Sequence, residues 1–122
     1  MEPDDSNGLH RIGEYEWGTV WADERDPNAG GASHHYEIRL DNGDRCVVQF
    51  QHGPRAVAGS IKGILDEHLF QISMDRLRSF QAGPFAHPSN DRALAYIEAA
   101  SHAMRERAAE RRARGVLGKN EK

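Results

Sequence analysis

The sequence predicts an α+β chain: a small antiparallel β-sheet with a hairpin, followed by a two-helix antiparallel hairpin. Three observations carry this. Alternating runs flank Asn42-Gly43, the apolar period switches from two to steps of three and four after residue 64, and Gly83-Pro84 breaks that helical pattern once.

The opening MEPDDSNG is polar, acidic and interrupted by Pro3 and Gly8, so residues 1–12 are expected to form a flexible N-terminal arm. Tyr15, Trp17, Thr19 and Trp21 then alternate with Glu16, Gly18 and Val20, the pattern of one strand. ADERDPNAGGAS is a loop. HHYEIRL, DNGD and RCVVQFQ follow as strand, turn and strand, because Asn42 and Gly43 both tolerate the positive φ of a tight hairpin. Tyr36, Ile38, Leu40, Cys46, Val48 and Phe50 share the side expected to be buried, with Glu37, Arg39 and Gln49 opposite.

HGPRAVAGSIKG, residues 52–63, is a glycine-punctuated crossing. Leu65, Leu69, Ile72, Leu77 and Phe80 mark the inner side of a first helix that Gly83-Pro84 terminates. Ser89 or Asn90 suits the N-cap of a second helix. Its seam runs through Leu94, Ile97, Ser101, Met104 and Ala108, and Gly115 suits its C-terminal cap. The expected organisation is a single domain over residues 13–118, with a sheet part at 13–52, a helical hairpin at 64–115, and a tail at 119–122.

Composition narrows the function. Apolar residues make up 38% of the chain, below the ~45–50% of typical soluble domains. A chain of this size has a marginal core, which predicts that it oligomerises. The net charge of −3 disfavours non-specific duplex binding, although residues 91–122 alone are basic. Cys46 is the only cysteine, which excludes an internal disulfide and a cysteine-based zinc site. No signal peptide and no membrane-spanning apolar run is visible, so the expected location is cytoplasmic.

No metal, cofactor or catalytic site is expected. His34 and His35 are adjacent on a strand and point to opposite faces. His68 and His102 stand on separate helices with no carboxylate partner at metal spacing. GPRAVAGSIKG lacks the Gly-Lys-Ser/Thr ending of a phosphate loop. Nothing provides a nucleophile with its base, so the chain does not read as an enzyme.

Two features remain open on the residues alone. Phe80 and Phe85 flank the break between the helices, either as core and lid or as a stacking platform for a base. Asn90 nearby would add paired donor and acceptor groups. Arg105, Arg107, Arg111, Arg112 and Arg114 form a solvated helix end that suits the dipole, yet Arg107 borders the apolar seam and is best placed to reach a partner.

The run ISMDRLRSFQAGPFAHPSNDRALAYIEAASHAMRERAAERRARGVLG resembles the helical hairpin of the Thoeris anti-defence protein 1 family of phage nucleotide sponges, and of related sponges that counter cyclic-oligonucleotide (CBASS) defence. Asp75-Arg76-Leu77, Phe80-Gln81, Gly83-Pro84-Phe85, Asn90, Ala93-Leu94, Arg107 and Gly115-Val116 carry the likeness, with Phe50-Gln51 and Gly53-Pro54 upstream. The resemblance implies sequestration without cleavage of glyco-cyclic ADP-ribose, the Thoeris alarm signal, in the cytoplasm of an infected bacterium. It implies that Phe80 stacks the adenine, Asn90 lines the same pocket and Arg107 meets the pyrophosphate. Arg55 and Phe85 would complete the ligand-binding set. It also implies a homo-oligomer, dimer or hexamer, with pockets built between protomers, and in some members a separate site for cyclic di- or trinucleotides. The competing expectation is a nucleic-acid-binding or regulatory phage module that uses the basic second helix.

Overall fold

The computed structural model describes residues 7–116, which fall into two compact units dividing between Ile64 and Leu65.

The first unit is a four-stranded antiparallel meander, β1 (His10–Tyr15), β2 (Gly18–Ala22), β3 (His35–Leu40) and β4 (Arg45–Gln49), in the order β1-β2-β3-β4. The single strand expected around residues 15–21 is a hairpin. Its turn is Glu16-Trp17, with Glu16 at φ 49°, and Tyr15 pairs with Gly18. Alternation on both sides of a two-residue turn mimics one continuous strand, which is why the pattern misled. Residues 10–12, assigned to the arm, belong to β1.

The β3–β4 hairpin stands where Asn42-Gly43 placed it, but only Gly43 takes positive φ, at 94°. Gly43 N–H donates to Leu40 O at 3.0 Å, giving the three-residue loop with a glycine bulge. Asn42 works through its side chain instead, accepting from Asp44 N–H at 2.9 Å.

The expected buried face is covered in part: Tyr36, Leu40, Val48 and Phe50 are half-buried, and Cys46 and Ile38 are not. Cys46 is exposed and its partner Ile38 is 37% exposed. The opposite face is the better organised. The Glu37 side chain, only 12% exposed, receives Arg39 at 3.1 Å and Arg45 at 3.2 Å. The Arg39 guanidinium in turn lies 4.3 Å from the Trp21 ring. Partial burial alone would raise the Glu37 pKa, but the hydrogen bond and charge of Arg39, with His35 and Arg45, hold it below the ordinary value.

Polar contacts also tie the long loop and the crossing to the sheet. Asp23 Oδ1 accepts from the His34 and His35 amides at 3.1 and 3.3 Å. The His34 ring stacks on His52 at 4.2 Å, and His52 Nε2 meets Asp26 Oδ2 at 2.7 Å. The crossing then folds back, pairing His52 with Ile61 and Phe50 with Ile64. This return brings Gly63 against β4. A Cβ there would meet Gln49 O at 2.3 Å and the Phe50 carbonyl carbon at 2.5 Å, so only glycine fits.

The second unit is an antiparallel pair, α1 (Asp66–Gln81) and α2 (Pro88–Ala113), linked by an Arg78–Glu98 ion pair at 3.5 Å. Met74 and Ser101 are its buried residues. On α1 the expected Leu69, Leu77 and Phe80 are covered, joined by Phe70, Met74 and Gln81, whereas Leu65 and Ile72 are 49% and 59% exposed. Ile72 sits two residues from both Phe70 and Met74, about 200° around the helix, and so faces away. On α2 the expected seam holds at Leu94, Ile97, Ser101 and Ala108, with Met104 at its margin. Gly115 adopts φ 75° just past α2, the cap its position suggested. Among the described residues no helix is long and apolar enough to cross a membrane.

Two consequences are measurable through the two tryptophans, Trp17 and Trp21, both in the sheet unit. Gly63→Ala should lower the stability seen by tryptophan fluorescence in urea by about 1–3 kcal/mol. Gly13→Ala, where nothing lies within 4 Å of the added methyl, should change it little. Because the folded pKa of Glu37 is lowered, its contribution is complete above the unfolded value and is lost as pH falls through the folded one. The urea midpoint should therefore drop below about pH 4.5, and Glu37→Gln should start lower and flatten that acid limb.

Candidate functional site: the helix–helix corner

The corner is built by two capping choices. Helix α1 runs out at Gln81, with Ala82 N–H bonding Arg78 O at 3.0 Å and Gly83 N–H bonding Phe80 O at 3.1 Å. Helix α2 starts earlier than Ser89 or Asn90, the expected caps. His87 is its N-cap, with extended backbone and Nδ1 accepting from Ser89 N–H at 3.0 Å, and Pro88 fills the first helical position. Asn90 thus sits inside the first turn, its side chain free to reach back toward α1.

Gln81 receives it. Gln81 Oε1 accepts from His87 N–H at 2.8 Å and from Asn90 Nδ2 at 2.9 Å. Asn90 Nδ2 also donates to Phe85 O at 3.0 Å. One amide of α1 therefore holds the link and the first turn of α2 together. The Phe80 and Phe85 rings meet edge to face, their centroids 6.5 Å apart. Phe80 is half-buried, whereas Phe85 is 74% exposed. Phe85 is not core. The Arg76 guanidinium lies 5.3 Å from the Phe80 centroid, one helical turn before it.

Three of the five expected site residues, Phe80, Phe85 and Asn90, thus converge at the corner. Arg107 is not with them. It stands seventeen positions after Asn90 on the continuous helix α2, about 26 Å along the axis. Nor does it reach inward: it is exposed and bonds Glu110 at 2.7 Å. Arg114 pairs with the same carboxylate. The Arg114 hydrogen bond, ahead of the charges of Arg114 and Arg107, holds Glu110 below the ordinary carboxylate value.

Arg55 belongs to the sheet unit, where it is exposed and donates to Gln51 Oε1 at 3.3 Å. Gln51 also takes Gly63 N–H at 3.3 Å and donates to Gly53 O at 3.0 Å, so it orders the crossing as Gln81 orders the corner. In the same crossing an open concavity of about 370 Å³ is lined by His52, Gly53 and residues 58–61.

Arg76 and Gln81, which were not among the expected site residues, also take part in the corner. Arg76 was findable from its i, i+4 spacing to Phe80. Gln81 was not, because its role depends on where α2 starts. His102, read as lacking a carboxylate partner, lies 2.7 Å from Glu106 one turn later.

No family model matches the chain. It is similar to a curated protein, "Thoeris anti-defense 1" of Bacillus phage SBSphiJ7, with 34% identity over 93 residues. The match takes in 76% of this chain and 65% of the relative's own length.

Half-burial sets what Phe80 contributes to folding. Phe80→Ala should cost the helical unit about 1–2 kcal/mol by circular dichroism in urea, less than the ~3–5 kcal/mol of a fully buried ring.

Proposed function

The chain belongs to the Thoeris anti-defense 1 family, and from that premise we propose that it is a phage anti-defence sponge. It binds the glyco-cyclic ADP-ribose signal of Thoeris immunity and keeps it intact, without cleaving it. The observation that carries this reading is the corner, where a half-buried aromatic ring, a side-chain amide and an arginine lie together on ordered backbone. Phe80 stacks the adenine, Asn90 reads its edge and Phe85 closes over it.

The length of α2 supports a pocket shared between copies. No single cyclic dinucleotide spans the ~26 Å from Asn90 to Arg107. Arg107 therefore meets the pyrophosphate of a ligand seated at a neighbour's corner, where its planar guanidinium donates twice after leaving Glu110. The exposed apolar side chains of the helical unit, Ile72 at 59% and Tyr96 at 73%, suit burial in such an assembly, whether dimer or hexamer. Arg55 is a further phosphate contact from the crossing. The location that follows is the cytoplasm of the infected host.

Calorimetric titration with glyco-cyclic ADP-ribose, followed by heating and mass spectrometry of the released ligand, tests the proposal. Tight binding with intact ligand is expected; a cleaved product would mark an enzyme. If there is no heat, a panel of cyclic di- and trinucleotides follows, and silence there too removes the sponge reading. Phe80→Ala should weaken binding roughly 5- to 150-fold, the equivalent of ~1–3 kcal/mol for a stacked base. Phe80→Ala and Arg107→Ala chains, each defective alone, should recover part of the sites when co-assembled. Failure to complement would place both residues in one protomer's pocket.

A further inference from the structure

We propose that Gln81 is a positioning residue that turns the Asn90 carboxamide into an acceptor-only reader, selecting a base with an exocyclic amino group. This rests on the functional reading above and concerns its specificity.

The orientation follows from groups whose roles are fixed. His87 N–H can only donate, so the Gln81 atom 2.8 Å away is its oxygen. That oxygen also faces the Asn90 terminus at 2.9 Å, which must then be the NH₂. The same terminus lies 3.0 Å from Phe85 O, a backbone carbonyl that can only accept. Both hydrogens of the Asn90 amide are therefore committed within the corner. What remains is Oδ1 with its lone pairs. The paired donor and acceptor expected of Asn90 is thus reduced to an acceptor, and an acceptor is met by an N–H of the ligand. Among purines in the Phe80 stack, the 6-amino group of adenine supplies it; unsubstituted purine, with neither an amino group nor a ring N–H on that edge, leaves Oδ1 unanswered.

A ligand-free arm tests the lock. The Asn90 side-chain amide protons should exchange about tenfold more slowly by NMR than those of exposed Asn28, and Gln81→Leu should abolish the difference. Exchange as fast as Asn28 in the native protein would overturn the proposal.

The second arm compares glyco-cyclic ADP-ribose with the counterpart that carries unsubstituted purine in place of adenine, which offers Oδ1 neither an amino group nor a ring N–H. The native protein should prefer the amino form about tenfold, equal to ~1.4 kcal/mol. Gln81→Leu should bring the two within about twofold, because the Nδ2 hydrogen that Gln81 held is released to donate to the ring nitrogen while Phe85 O keeps the other. Gln81→Glu, which still accepts both hydrogen bonds, should restore the preference. Equal affinities in the native protein, or a preference untouched by Gln81→Leu, would overturn the selection. Silence with both probes would overturn the functional reading and the base assignment with it, while the exchange arm still decides which way the amide faces.

Discussion

A shortage of apolar interior constrains everything else in this molecule. Among the described residues only Leu9, Ala22 and Met74 are buried apolar side chains, and no large side chain is fully buried. Hydrophobic burial at roughly 25 cal/mol per Å² offers little to units built this way. Directed polar contacts fill the gap. Glu37 gathers cations on the sheet, Asp26 and the stacked His34 and His52 bind loop to crossing, and Gln51 and Gln81 each close one loop. Such contacts hold groups in defined directions more firmly than greasy packing does, which suits a binding surface better than a stable isolated fold.

The same economy explains the division of labour at the corner. A proline at the first turn of α2 forbids one backbone donor and pushes the cap back to His87. That shift places Asn90 on the helix rather than before it, and only then can its amide reach Gln81. Local chain chemistry, rather than any long-range packing, sets the geometry of the candidate pocket.

How much of this was legible in the sequence follows from what each signal encodes. Gly43 and Gly115 announced their turns because positive φ is a property of one residue. The seam of α2 was readable from its spacing, and so was the antiparallel order of the sheet and helices. The β1–β2 hairpin was not, since Glu16 takes the left-handed turn that glycine usually marks. Ile72 was misplaced because three apolar residues at helical steps fit two adjacent stripes equally well. Cys46 was misplaced because alternation says which residues share a face, not how far along the strands that face is covered. At the corner, Phe80, Phe85 and Asn90 were singled out from residue type and do come together, whereas the contacts of Gln81 are a matter of angles that no composition records.

The span of α2 has a consequence for how capture would scale. A pocket whose stacking ring and whose phosphate arginine come from different copies does not exist in a lone chain. In the shared pocket proposed above, uptake of signal would rise with the square of protein concentration while copies were still associating, and linearly afterwards. Early in an infection, when few chains have been made, such a protein would be nearly silent; once assembled, its capacity would switch on together with its affinity. Bound signal would in turn cement the assembly, so that the alarm molecule itself recruits the trap that removes it.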